Sequence, residues 1–241
     1  MYYPLPFLPL IRLDLTMVIK QKRAIRSYVL RQGRMTDAQK ISIEKLMPKY
    51  GIELTEHKIN FSEVFGRAGD VILEIGFGMG QSLAQMGLEN PETNYLGIEV
   101  HQPGVGRLMN QLEDEMIGNV RLLNEDAVHV LKAHIPNNSL AGVQIFFPDP
   151  WPKKKHNKRR IIQKEFIKHI IGKLSIGGFI HVATDWAPYA EHIIEILNSE
   201  ACLVSAEGTA LHERLIMSRP DTRFENRGKK LGHEICDVVY Q

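Results

Sequence analysis

The stretch VILEIGFGMG, residues 71–80, reads as an apolar strand that carries an acid near its exit and then runs into a glycine-rich turn. Outward from it the chain alternates short apolar runs with longer amphipathic ones. Strands are expected at 71–76, 94–100, 120–126, 141–147 and 177–185, and helical spacing of apolar residues appears at 82–88, 107–116, 127–135, 165–174 and 189–198. The strands are apolar on both faces, as strands covered by helices on either side must be. Two late segments, 201–208 and 233–240, are expected to complete the sheet. The fold class that follows is α/β, with a doubly wound, mostly parallel, seven-stranded sheet of Rossmann-like type.

At 241 residues, with 44% hydrophobic and 24% charged residues, the chain has material for one substantial core, and its composition excludes collagen, coiled coil and disorder. No apolar run approaches the roughly 20 residues a membrane helix needs. The opening MYYPLPFLPLIRL lacks a preceding cation and a small-residue cleavage site and is interrupted by proline, so it is read as a leader rather than a signal peptide, with Met17 as an alternative start. Residues 1–35 are expected to form an N-terminal extension, an apolar leader followed by a basic segment, and residues 36–241 the single domain. Cys202 and Cys236 lie far apart with no C-x-x-C pairing, and the histidines form no H-E-x-x-H, so neither a disulfide framework nor a metal site is expected, and a reducing cytoplasm fits.

In open α/β sheets ligands bind beyond the carboxyl ends of the strands. Here those ends are acidic: Glu74, Glu99, Asp126, Asp149 and Asp185 each sit at or just after an expected strand exit. Any one of them could be a helix N-cap. Glycines 76, 78 and 80 allow a tight turn and close approach of a ligand to the backbone, but Gln81 stands where the dinucleotide fingerprint G-x-G-x-x-G needs its last glycine, and no P-loop is present. A carboxylate just before G-x-G-x-G repels a pyrophosphate and complements an ammonium or sulfonium, and S-adenosylmethionine carries both cations. Glu99 is placed to accept from both ribose hydroxyls. Asp126 is either an acceptor for the adenine amine or the N-cap of the following helix. The pattern over roughly residues 60–240 resembles the class I, Rossmann-like methyltransferases.

After the fourth strand, Pro148-Asp149-Pro150-Trp151-Pro152 forms a stiff loop, because each proline restricts its predecessor to extended backbone. Six cations follow within the eight residues 153–160, and a second basic stretch holds Lys20, Lys22, Arg23, Arg26, Arg31 and Arg34. Charge runs are usually solvated faces, but this one adjoins the expected reaction centre, so contacts to the phosphates of a polyanion larger than one nucleotide are expected.

The segments FFPDPWPKKKHNKRR (146–160), LEIGFGMG (73–80), GIEVH (97–101), ATDW (183–186), TRFENRG (222–228) and RSYVLRQGRMT (26–36) together resemble the bacterial tRNA (guanine-N7-)-methyltransferase family over most of the chain. The PDPW loop with its basic run is the discriminating motif, whereas the glycine loop marks only the superfamily. The resemblance implies that S-adenosylmethionine is held by Glu74, Gly76, Gly78, Glu99, Asp126 and Asp149, with Asp149 also the catalytic acid. It implies substrate contacts from Lys153, Asp185, Thr222, Arg223, Phe224 and Glu225, and RNA contacts from Lys155, His156, Asn157, Lys158, Arg159 and Arg160. Without it, 222–225 reads as a surface turn after Pro220. The implied partner is tRNA, methylated in its variable loop, with no membrane, no obligate protein partner and a monomeric enzyme. Three other readings share parts of the pattern: a methyltransferase for another RNA or a protein, a noncatalytic RNA-binding subunit, and a dehydrogenase, which Gln81 disfavours.

Overall fold

The computed structural model describes residues 26–28 and 35–241, so the apolar leader and the cations Lys20, Lys22, Arg23, Arg31 and Arg34 lie outside the described residues. Thr36 opens the described domain by capping helix α1 (Asp37–Tyr50): its hydroxyl accepts from the Gln39 amide and the Gln39 side chain accepts from the Thr36 amide, a reciprocal capping box. A short helix α2 (Phe61–Phe65) leads into strand β1 (Val71–Ile75). The alternation then runs α3 (Gln81–Glu89), β2 (Asn94–Ile98), α4 (Gln102–Asp114), β3 (Val120–Leu123), α5 (Ala127–Ala133), β4 (Leu140–Phe146), a 3-10 turn at Lys154–Arg159, α6 (Lys164–Ile171), β5 (Leu174–Thr184) and α7 (Ala187–Asn198). Helices α8 (Ala210–Ser218) and α9 (Arg223–Lys230) precede the last strand, β6 (Cys236–Tyr240).

The strands lie in the order β3-β2-β1-β4-β5-β6. All neighbours are parallel except β6, which runs antiparallel to β5. The chain works outward from β1 to β3, then returns to build from β4 on the other side, so the strand order reverses between β1 and β4 and a crevice opens there. One face packs α1, α3 and α4 over the sheet through Tyr50, Leu83, Leu108 and Leu112 against Tyr95, Val120 and Leu122. The other packs α5, α6 and α7 through Leu131, Ile167 and Ile193 against Leu73, Val143 and Ile180. Burying strands from both sides in this way is what their unbroken apolar runs require.

The seventh expected strand is a correction. Among the described residues the sheet has six strands, and 201–208 contributes a single bridge, Ser205 to Tyr240, backed by Val204 N–H to Gln241 O (2.8 Å) and Ala206 N–H to Val239 O (2.9 Å). This segment lies along the free edge of β6. Its pairing stops early because Gly208 turns the chain at φ +73° and Thr209 immediately caps α8.

Candidate active site

A cavity of about 410 Å³ opens at the reversal of strand order, lined by the segments that follow β1, β2, β3 and β4. Gly76, Gly78, Glu99, Asp126 and Asp149 all contribute to its wall, as do Tyr28, His101 and Phe224.

The turn after β1 takes its shape from three glycines with positive φ, at 76 (+78°), 78 (+59°) and 80 (+77°). A Cβ at Gly76 or Gly78 would meet no protein atom within 4 Å, so the backbone there faces open space that a ligand can fill. Glu99 pins this turn: its Oε2 accepts from the Gly78 amide (2.8 Å), and Oε1 from the amides of Val100 (2.7 Å) and His101 (2.8 Å). Three of a carboxylate's roughly four acceptor positions are thereby taken. Glu99 has room for one ribose hydroxyl rather than the expected two unless the Gly78 amide lets go. The turn is also wedged from α4, since a Cβ on Gly104 would run into the Gly78 carbonyl oxygen. Gly104→Ala is therefore expected to cost about 1–3 kcal/mol, as overpacking does. Thermal melts should show a Tm loss of a few to roughly ten degrees, and an unchanged Tm would mean that the turn yields freely.

Glu74 does not line the cavity. It is 2% exposed, with Oε1 accepting from Ser82 Oγ (3.3 Å) and Oε2 without a partner among the described residues. Burial pushes its pKa up to about 8, with the Glu99 charge adding to the rise and the Ser82 hydroxyl opposing it. The native chain thus keeps this proton to about pH 8, whereas the unfolded chain releases it near 4.5. Between those values the native state binds more protons, so its stability falls as pH rises, by on the order of 3 kcal/mol at pH 7. Glu74→Gln, isosteric with the protonated acid, should flatten that part of the Tm-against-pH curve. Parallel curves for the two proteins would rule the effect out. A cation near the unpartnered Oε2 would favour the ionised form, which fits a ligand bearing a sulfonium and an ammonium.

Asp126 fills the N-cap role: Oδ1 caps α5, accepting from the amides of Val128 (2.8 Å) and His129 (3.4 Å), and its carboxylate lines the cavity beside Tyr28. Tyr28 and Ser27 bring the described N-terminal residues to the cavity wall. Sequence reasoning missed them because it marked that segment for its cations, not for its aromatic.

Asp149 stands exposed on the loop after β4. Phe147 (φ +50°) and Trp151 (φ +43°), one on each side of Pro148-Asp149-Pro150, both precede a proline yet occupy the left-handed region that side chains disfavour, not the extended backbone expected of them. Surrounding contacts hold the loop there. Trp151 Nε1 donates to Ser27 O (3.1 Å), the Arg159 guanidinium lies 4.0 Å from the centre of the Trp151 ring, and Arg160 Nε donates to Pro150 O (2.9 Å).

Arg160 is a correction to the expected RNA-contacting set: it is 6% exposed and packed over the Tyr189 ring at 4.7 Å, so it anchors the loop from within. Lys153, Lys154, Lys155 and Lys158 are exposed, and Arg159 is half-buried against Trp151. His156 packs edge-on to Trp151, and burial, followed by the charges of Lys155, Arg159, Lys153 and Lys158, holds its pKa below the ordinary value, so it is neutral at pH 7. Asn157 braces the turn: its carbonyl accepts from Gln163 Nε2 (3.0 Å), and the side-chain orientation that satisfies its neighbours donates to Trp151 O (3.1 Å).

The expected substrate-side residues divide. Phe224 is 63% exposed and reaches the cavity. Thr222 caps α9, accepting from the Glu225 amide (3.0 Å), so 222–225 is the start of a helix, not a surface turn. Arg223 is the first residue of that helix. Asp185, just past β5, faces α9 through Gly228 and His233, whose Nδ1 lies 3.2 Å from Asp185 Oδ2. Glu225 is a second correction, because it is 3% exposed and its carboxylate is taken by Arg219 (2.5 and 3.3 Å) and Lys229 (2.9 Å), leaving it unavailable for direct contact with a substrate.

Residues 68–238 match the family described as "Putative methyltransferase". A tRNA (guanine-N(7)-)-methyltransferase of Legionella pneumophila (strain Paris) is 50% identical over 221 residues, 91% of this chain and 93% of that one. The enzyme of the same name from Shewanella amazonensis is 47% identical over 219 residues, 91% of this chain and 92% of its own. Among solved structures, the 16S rRNA methyltransferase KamB superposes with a TM-score of 0.52 at 14% identity, over 86% of this chain and 94% of that one. The aminoglycoside resistance methyltransferase NpmB1 gives 0.51 at 14% identity, over 78% and 94%. At that identity the two structures bear on the fold alone, which is the class I methyltransferase fold.

Proposed function

The chain belongs to the tRNA (guanine-N(7)-)-methyltransferase family, and we propose that its 410 Å³ cavity seats S-adenosylmethionine and the target guanine side by side, with Asp149 in the wall that holds the guanine. The enzyme methylates guanine N7 in tRNA with that cofactor. The reading of individual residues rests on one observation above the others: the acidic strand ends, the strained Pro-Asp-Pro loop and the tip of α9 converge on a single cavity.

Gly76 and Gly78 would take the cofactor against their backbone, Glu99 would accept from a ribose hydroxyl, and Asp126 would present its carboxylate to the adenine amine while Oδ1 caps α5. Glu74, buried outside the cavity wall and protonated at pH 7 by that burial, would contribute charge only as a bound cation draws out its ionised form, and makes no contact. When bound, S-adenosylmethionine supplies a methyl group on a positively charged sulfur. Guanine N7 has an in-plane lone pair and no proton, so the protein needs no general base. What it must supply is alignment and a favourable field. The Asp149 carboxylate is suited to accept from guanine N1–H and the 2-amino group, which orients the ring and stabilises the cationic purine that methylation creates. Phe224 and Asp185, with Thr222 and Arg223 at the head of α9, stand on the substrate side. Lys153, Lys154, Lys155 and Lys158 face solvent beside the loop, where flanking phosphates of a flexible variable loop would pass. A tRNA substrate and unpaired thiols suit the cytoplasm.

The deciding experiment supplies methyl-labelled cofactor and unmodified tRNA, then cleaves chemically at 7-methylguanine. Label at one guanine of the variable loop is the expected result. Label in another base, or in protein, would move the chain to the alternative methyltransferase reading.

A further inference from the structure

Arg219 lies at the end of α8, in the sequence Ser-Arg-Pro-Asp-Thr, where the residue pattern alone suggests a solvated turn. Its side chain is instead 5% exposed. The guanidinium forks to Asp237 on β6, Nε to Oδ1 at 2.8 Å and Nη2 to Oδ2 at 3.0 Å. It forks again to Glu225 on α9, Nη1 to Oε2 at 2.5 Å and Nη2 to Oε1 at 3.3 Å. Its carbon also lies 5.7 Å from the ring centres of both Phe146 and Phe147. Asp237 is braced in turn by His181 Nε2 at 2.7 Å, and His181 is fully buried with its ring edge-on to Phe146. Burial would raise the pKa of Asp237, but the hydrogen bonds from His181 and Arg219 outweigh it and hold the carboxyl ionised.

The segments gripped by this one side chain carry both walls of the substrate end of the cavity. Phe146 and Phe147 lead directly into Pro148-Asp149, and Glu225 adjoins Phe224. We propose that Arg219 is a positioning residue for methyl transfer, fixing the distance between the Asp149 loop and the head of α9 by holding Asp237, Glu225 and the Phe146–Phe147 rings at once. The inference rests on the assignment of the guanine to that end of the cavity. Only a planar guanidinium can serve two carboxylates bidentately while stacking on rings, and a lysine ammonium keeps the charge without the fork.

Arg219→Lys tests this. A drift of about 1 Å between reacting groups costs roughly 100-fold in rate. The expected result is a fall in kcat of about that size, with the Kd for S-adenosylmethionine nearly unchanged, because Gly76, Gly78, Glu99 and Asp126 lie on other segments, and with the Kd for tRNA changed far less than kcat, because the four solvent-facing lysines are proposed to carry most of that affinity. Asp237→Asn, which keeps the shape and removes the charge, should reproduce part of the kcat loss, and it carries the test alone if Arg219→Lys does not fold. Unchanged kcat overturns the proposal. So does a parallel fall of kcat, both affinities and Tm, which would make Arg219 a brace for the fold only. Failure of the functional assignment is separable, since the unmutated enzyme would then yield no 7-methylguanine.

Discussion

Asp149→Asn is expected to lower kcat by roughly 100- to 1000-fold at saturating tRNA, a loss of about 2.7–4 kcal/mol in the barrier. The amide keeps one acceptor oxygen and turns two donors toward groups on guanine that are themselves donors, so one hydrogen bond is lost and a repulsion takes its place. It also removes the negative charge from beside a ring that becomes cationic as the methyl arrives. The substitution should leave the fold intact. Asp149 is exposed, and Pro148, Pro150, Trp151 and Arg160 shape its loop. Single-turnover methylation with both ligands bound reads the effect on chemistry alone. Full turnover by the variant would remove Asp149 from the reaction.

Binding of tRNA should weaken steeply with salt, and the proposed contacts assign the slope to the exposed cations. Lys153, Lys154, Lys155 and Lys158 are exposed, whereas Arg160 is consumed by Pro150 and Tyr189. Four phosphate contacts at about −0.7 to −0.9 each give a slope near −3 in log K against log salt, or roughly a 100-fold loss of affinity between about 50 and 200 mM. Contacts from the basic residues of 20–34 would steepen it. Replacing any one of the four lysines by alanine should reduce the slope by close to one contact. Arg160→Ala should leave the slope alone while lowering kcat, because it releases the Asp149 loop. Filter binding across a salt series separates these outcomes, and a slope that drops as much for Arg160→Ala as for Lys155→Ala would contradict the partition.

The alternation from Val71 onward carried the sheet, since strands covered on both sides are written as unbroken apolar runs and their crossover helices as periodic ones. Gly76, Gly78, Glu99, Asp126 and Asp149 do meet at one cavity, because parallel strands deliver their carboxyl ends to the same edge of the sheet, whereas Glu74 is buried and Asp185 turns to α9. The sequence does not say what else a charged residue is doing. Arg160 and Lys158 look alike in a basic run, and only packing shows that one is buried on Tyr189 while the other faces water. Glu225 reads as a surface acid until Arg219, six positions earlier, is seen to hold it. Residues 201–208 have strand composition, yet a neighbour on one side only and a turn at Gly208 leave them a single bridge.

Phe147 and Trp151, one on either side of the Pro-Asp-Pro segment, each hold a backbone conformation that costs about 1–3 kcal/mol. That expense is met once, when the chain folds, by the contacts that clamp the two residues in place. A supple loop of ordinary residues would have to be frozen anew at every turnover, with the entropy of ordering subtracted from each encounter with RNA. In the proposed arrangement the carboxylate is instead aimed before any tRNA arrives, and the enzyme's speed would be written partly into its folding.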